Sequence, residues 1–97
     1  MTKAEMAREI SFKTGIPKKD VEDVIEALMV TVKDSLTNGE EVFLRGFGSF
    51  IIKERAAKTA RNITKNTTVI IPAHQIPAFK PAKVFMEQML GKEPSND

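Results

Sequence analysis

Lys53-Glu54-Arg55-Ala56-Ala57-Lys58-Thr59-Ala60-Arg61-Asn62-Ile63-Thr64-Lys65-Asn66-Thr67-Thr68-Val69-Ile70-Ile71 is the stretch whose reading decides the fold. Lys53, Arg55, Lys58, Arg61 and Lys65 fall within thirteen residues, and only Glu54 opposes them. Up to Thr68, Ile63 is the only large apolar side chain, so the segment has no face with which to build a core. Yet it lies between two strand-like runs, Phe50 to Lys53 and Val69 to Ile71. The economical reading is a long two-stranded β-hairpin arm over about residues 53–71, with its tip near Thr64-Lys65-Asn66-Thr67. Asn66 tolerates the positive φ that a tight turn wants. A free two-stranded ribbon is marginally stable in water, so the arm is expected to move until it meets a partner. A solvated surface loop is the plain alternative for any charge run. A coreless loop of this length inside a small domain is unusual, however, and such loops are commonly functional or disordered.

Upstream of the arm the hydrophobic period is helical. Thr2 followed by Glu5 is a capping-box pair, so a first helix should start near Lys3, with Met6, Ile10 and Ala7 on its apolar side. Gly15 stops it and Pro17 enters a second helix running to about Thr37. Val21, Val24, Ile25, Leu28, Met29, Val32 and Leu36 form that helix's apolar stripe, and Asn38-Gly39 ends it. The short link makes the two a helical hairpin. From Glu41 the period becomes two: Val42-Phe43-Leu44, a break at Arg45-Gly46, then Phe47 to Ile52 read as an antiparallel pair with the phenylalanines as core. Gln75 to Phe79 returns to the sheet as an edge or bulged strand, because Pro72 and Pro77 cannot donate to a central ladder. Pro81 is expected in the first turn of a last helix with Val84, Phe85, Met89 and Leu90 apolar, capped by Gly91, and residues 92–97 form a frayed tail.

This order predicts an α+β chain: a helical hairpin (residues 1–40), a three-stranded antiparallel sheet extended into the arm (41–80) and a C-terminal helix (81–90). A chain of 97 residues leaves room for one domain, and its body is too small to cover both faces of its sheet. The apolar side of the second helix is therefore expected to pack against a symmetric copy.

Charge distribution says more than net charge, which is only +2. Residues 1–40 carry six basic and eight acidic side chains, whereas residues 53–90 carry seven basic and two acidic. One positive face is the footprint of a polyanion partner. There is no cysteine and one histidine, His74, so disulfides, thiolate metal sites and a two-histidine metal site are all excluded. No apolar run approaches a membrane span, and Met1 to Glu5 lacks a signal peptide's apolar stretch, which makes the cytoplasm the expected compartment. Asp20, Glu22, Asp23 and Glu26 sit where a helix dipole welcomes them, so they need no catalytic explanation. Gly46-Phe47-Gly48 is followed by neither a helix nor a Gly-Lys-Ser/Thr ending, so it is no phosphate-cradling loop. No enzyme, cofactor or metal is expected.

Gly46-Phe47-Gly48-Ser49-Phe50, then Arg55, then Ala60-Arg61-Asn62, then Ile76-Pro77-Ala78-Phe79 closely resemble the bacterial histone-like HU/integration host factor family, and HU in particular. The likeness spans residues 1–90 without gaps. It implies an intertwined dimer whose two arms reach around DNA, hold it bent, and insert apolar wedges from the minor groove. By position, Arg55, Lys58, Arg61 and Asn62 belong to the groove-facing arms, and Lys3, Lys18 and Lys83 approach the phosphate backbone. Lys53, Lys65 and Lys80 join them on charge alone. The family usually has proline at the arm tip where this chain has Ile63, which is expected to insert in its place. It commonly has arginine where this chain has Lys58, which keeps the charge without the planar fork.

The resemblance thus implies a non-enzymatic architectural protein that binds the minor groove with little sequence specificity and bends, wraps or compacts DNA in the nucleoid. Bent, nicked or flexible DNA should be preferred, because deforming it costs less. A homodimer is expected, and a heterodimer stays open. One alternative is a sequence-preferring subunit of an integration-host-factor-like heterodimer. Another is a structural or interaction protein of the same fold without DNA binding, which the basic arm argues against. RNA is a secondary partner, since A-form grooves suit the arms less well.

Overall fold

The Thr2 hydroxyl accepts from the Glu5 backbone N–H at 3.2 Å, and the Glu5 carboxylate accepts from the Thr2 N–H at 2.8 Å. This reciprocal pair satisfies donors that a first helical turn leaves open, and α1 follows over Lys3–Thr14. Gly15, at φ 78°, sends its N–H back to the Ser11 carbonyl, the left-handed closure that favours glycine. Helix α2 then runs over Lys18–Thr37, entered through Pro17 and ended by Asn38. The computed structural model describes residues 1–62 and 67–91, and these divide into two compact units, one ending at Asn38 and the other beginning at Gly39.

The helical unit buries very little by itself. Ala7 of α1 is fully buried and Val21 of α2 nearly so, and no other described apolar side chain of the chain is. Met6, expected to lead the stripe of α1, is 41% exposed; the small Ala7 is buried instead. Val24, Leu28 and Met29 on α2 stay open to solvent, Val24 at 67%. An apolar stripe on a 20-residue helix needs a cover, because its exposure forfeits the burial that stabilises helices of this kind.

In the second unit β1 (Val42–Leu44), β2 (Gly48–Arg55) and β5 (His74–Pro81) form an antiparallel sheet in the order β1-β2-β5. Strands β3 (Lys58–Asn62) and β4 (Thr67–Ile71) form a separate antiparallel pair. Pro77 sits on β5, an edge strand, where its missing N–H is harmless. Pro81 is not in a helix. It ends β5 opposite Gly48, and α3 occupies Lys83–Leu90 after an Ala82 N-cap. The cause is the Phe47 carbonyl, which takes the Ala82 N–H at 2.9 Å and holds the chain on the sheet one residue longer.

Phe47, Phe50, Phe79 and Phe85 pack together, with ring centroids 5.0 Å apart for Phe47–Phe79, 5.1 Å for Phe50–Phe79 and 5.6 Å for Phe47–Phe85. Phe43 departs from expectation, being 71% exposed rather than core. Its backbone pairs with Ser49, while its neighbours Val42 and Leu44 pair with Phe50 and Gly48; alternation along a strand then sends Phe43 to the opposite face. Gly48 allows this packing. A Cβ there would lie 2.5 Å from the Phe79 ring and 2.7 Å from the Lys80 carbonyl. Gly48→Ala is expected to destabilise the fold by about 1–3 kcal/mol through overpacking. A thermal melt checks this, and an unchanged melting temperature would contradict so close an approach.

The β2–β5 ladder runs beyond β1 as a two-stranded ribbon and ends at Arg55 opposite His74. Pairing resumes at Lys58 opposite Ile71. Ala56 and Ala57 on one side and Pro72 and Ala73 on the other make up the interruption, and proline supplies its reason by removing a ladder donor. The count of residues is equal on both sides, so register is unbroken from Gly48–Pro81 to Asn62–Thr67.

Candidate nucleic-acid interface

The β-branched run Thr67-Thr68-Val69-Ile70-Ile71 favours extended backbone, and it holds the basic strand β3 along its length. Arm residues therefore owe their placement to backbone pairing rather than to a core. Lys53 and Arg55 lie in the sheet's central strand, paired with Ile76 and His74. The interruption, not Lys53, marks where the arm's own ladder starts. Alternation places Lys58 and Arg61 on opposite faces of the ribbon, so their cations serve two faces rather than one. Ile70 is 74% exposed beside them, opposite Thr59.

The acidic residue within the arm is turned aside. The Glu54 carboxylate accepts from Gln75 Nε2 at 2.7 Å across the β2–β5 ladder, on the face away from Arg55. Lys53, Arg55, Lys58 and Lys80 form no ion pair among the described residues. Asn62 closes the β3–β4 ladder opposite Thr67. Ile63 and Lys65, and with them the expected tip apart from Thr67, lie outside the described residues.

The body lysines are placed differently. Lys3 of α1 hydrogen-bonds Glu26 of α2, and Lys18 Nζ lies 3.9 Å from Glu22 while Lys83 Nζ lies 4.0 Å from Glu87. The hydrogen bond from Lys3 and its charge hold the Glu26 carboxyl below the usual range, and Glu26 raises the Lys3 ammonium in turn. All three pairs are exposed or, at Glu22, partly so, and contribute little to stability. Their effect falls on ligand binding, because a phosphate approaching any of these lysines competes with a carboxylate already there. The pairs at Lys18 and Lys83 follow from four-residue helical spacing. The pair at Lys3 joins two helices and carries no local signature.

Arg45 escaped the sequence reading. It lines, with Ser49, Lys80 and Lys83, a cleft of about 320 Å³ beside the β1–β2 turn. Its position next to the glycine turn was the available signal. Among the described residues no group of three or more His, Cys, Asp or Glu side chains is placed to hold a metal, and no helix is long and apolar enough to cross a membrane.

A helical hairpin with an uncovered apolar stripe, followed by a sheet that extends into a basic two-stranded arm, defines an arm-bearing α+β protein built to meet a polyanion. The sequence matches the family described as bacterial DNA-binding protein over residues 1–90. DNA-binding protein HU of Thermus thermophilus is 38% identical over 89 residues, covering 92% of each chain, and that of Clostridium pasteurianum is 39% identical, covering 92% of this chain and 98% of the other. Among solved structures, Anabaena HU in a cocrystal with DNA superposes with a TM-score of 0.88 at 35% identity, covering 97% of this chain and all of that one. The V42I mutant of HU from Thermotoga maritima gives a TM-score of 0.70 at 28% identity, over 92% and 99% of the two chains. The chain belongs to the bacterial DNA-binding protein family that includes HU.

Proposed function

We infer that this chain is a non-enzymatic architectural DNA-binding protein that acts as a dimer. The observation carrying this is the arm: cations at Lys53, Arg55 and Lys58 with no carboxylate partner among the described residues, on a ribbon thinned by Ala56, Ala57 and Ala60. Family membership and the likeness to an HU solved with DNA support the same partner. The dimer is supported by the uncovered stripe of α2.

Residues 1–97 form one HU-like domain, with 1–40 the dimerisation part and the arm entering the minor groove. Arg55, Lys58, Arg61, Asn62 and Lys65 grip it, Lys53 and Lys80 extend the positive track, Ile63 wedges between base steps, and Lys3, Lys18 and Lys83 meet flanking phosphates after leaving their carboxylates. Binding is largely independent of sequence, and the protein resides in the nucleoid.

Gel-shift titration over a range of salt, with linear, nicked and cruciform DNA and duplex RNA, tests this. Affinity should fall steeply with salt as released counterions dictate, nicked and cruciform DNA should bind more tightly than linear, and RNA most weakly. Equal affinity for all four, or no binding, would overturn the reading. A defined footprint on mixed-sequence DNA would instead favour the sequence-preferring heterodimer subunit.

A further inference from the structure

The root of the arm gathers three basic side chains in one place, one of them the single histidine. Arg55 and His74 form the last pair of the β2–β5 ladder, and Lys58 opens β3 beyond the interruption. With Ala56, Ala57 and Ile76 they line an open concavity of about 620 Å³. The alanines add little bulk to its lining.

His74 is oriented by its own strand. Its Nδ1 lies 2.9 Å from the Pro72 carbonyl, which only accepts, so Nδ1 carries the proton. In the neutral ring Nε2 is then a lone pair that repels another acceptor. Protonated, it becomes a second donor with a positive charge. The charged groups around it are of one sign. Lys53 and Arg55 share its face on β2, Lys58 lines the same concavity from β3, and β4 has no ionisable side chain among its residues. Glu54 is held by Gln75 on the other face. No described carboxylate lines the concavity. A protonated His74 therefore gains its counter-charge only when an anion arrives.

We propose that this concavity seats a phosphodiester group of the bound duplex, gripped by Arg55 and Lys58 and additionally by His74 once Nε2 is protonated. The proposal rests on the DNA binding inferred above and makes it proton-linked. Phosphate favours the charged ring, so by reciprocity the charged ring favours phosphate, and affinity rises as pH falls.

Fluorescence anisotropy of the full chain on a labelled nicked duplex, at fixed ionic strength near pH 6 and pH 8, tests it. The expected result is binding about three- to tenfold tighter at the lower pH. His74→Gln should abolish that difference, and His74→Lys should bring the affinity near pH 8 up toward the parent's value near pH 6. The proposal is overturned if His74→Gln keeps the parent's pH response. It is equally overturned if both variants weaken binding alike at both pH values, as loss of a mere strand brace would. Absence of duplex binding at either pH overturns DNA binding itself and this inference with it.

Discussion

Replacing Arg55, Lys58 and Arg61 together by alanine is expected to weaken DNA binding by about two to three orders of magnitude near 0.1 M salt. Each phosphate that is no longer neutralised lowers the slope of log affinity against log salt by roughly one, so six substituted cations in a dimer should lower it by about five. The fold should survive, because the buried positions of the described chain, Ala7 and Val21 in the helices and Gly48 in β2, all lie outside the arm. Circular dichroism and a thermal melt would establish that, and titrations at several salt concentrations would give the slope. A slope equal to the parent's would mean that these cations do not meet phosphates.

The second large effect concerns α2. Leu28, half exposed in the single chain, sits in the stripe with Val24 and Met29. Leu28→Glu would place like charges across a two-fold interface and desolvate them there. We expect a loss of about 3–5 kcal/mol in dimer stability, or about two to four orders of magnitude in dissociation constant. With so little buried in one chain, dissociation should cost most of the helical signal and DNA binding together. Sedimentation with circular dichroism over a concentration series reads this directly. Leu28→Met conserves volume and should be tolerated. A Leu28→Glu protein that stays dimeric with the parent's melting temperature would exclude the stripe from the interface.

The features legible in the sequence are those whose chemistry is local. The Thr2–Glu5 box, Gly15 and Asn38-Gly39 fixed both helices nearly to the residue, because caps act within one turn. The coreless basic ribbon was legible for the opposite reason: nothing in residues 53–68 offered any other way to bury surface. Features set by distant partners were not legible. Phe43 looks like Phe50 in composition, and only strand register separates the exposed ring from the packed one. Pro81 reads as a helix starter until the Phe47 carbonyl captures Ala82. Lys3 reads as a free cation because Glu26 is 23 residues away. His74 is exposed at the start of β5, but that it lies opposite Arg55 and lines one concavity with Lys58 follows from ladder register, which no local pattern announces.

The four residues without ladder pairing, Ala56 and Ala57 against Pro72 and Ala73, amount to a joint that keeps phase. Strand pairing enters and leaves it in step, so the outer segment can tilt while the identity of each opposed pair stays fixed. Lengthening one strand alone would put every outer residue out of step with its partner. Adding one residue to both would restore the pairing but exchange the faces shown by Lys58 and Arg61. An arm of this design can change its reach without exchanging those faces only in steps of two residues per strand, and its length is quantised by the pleat.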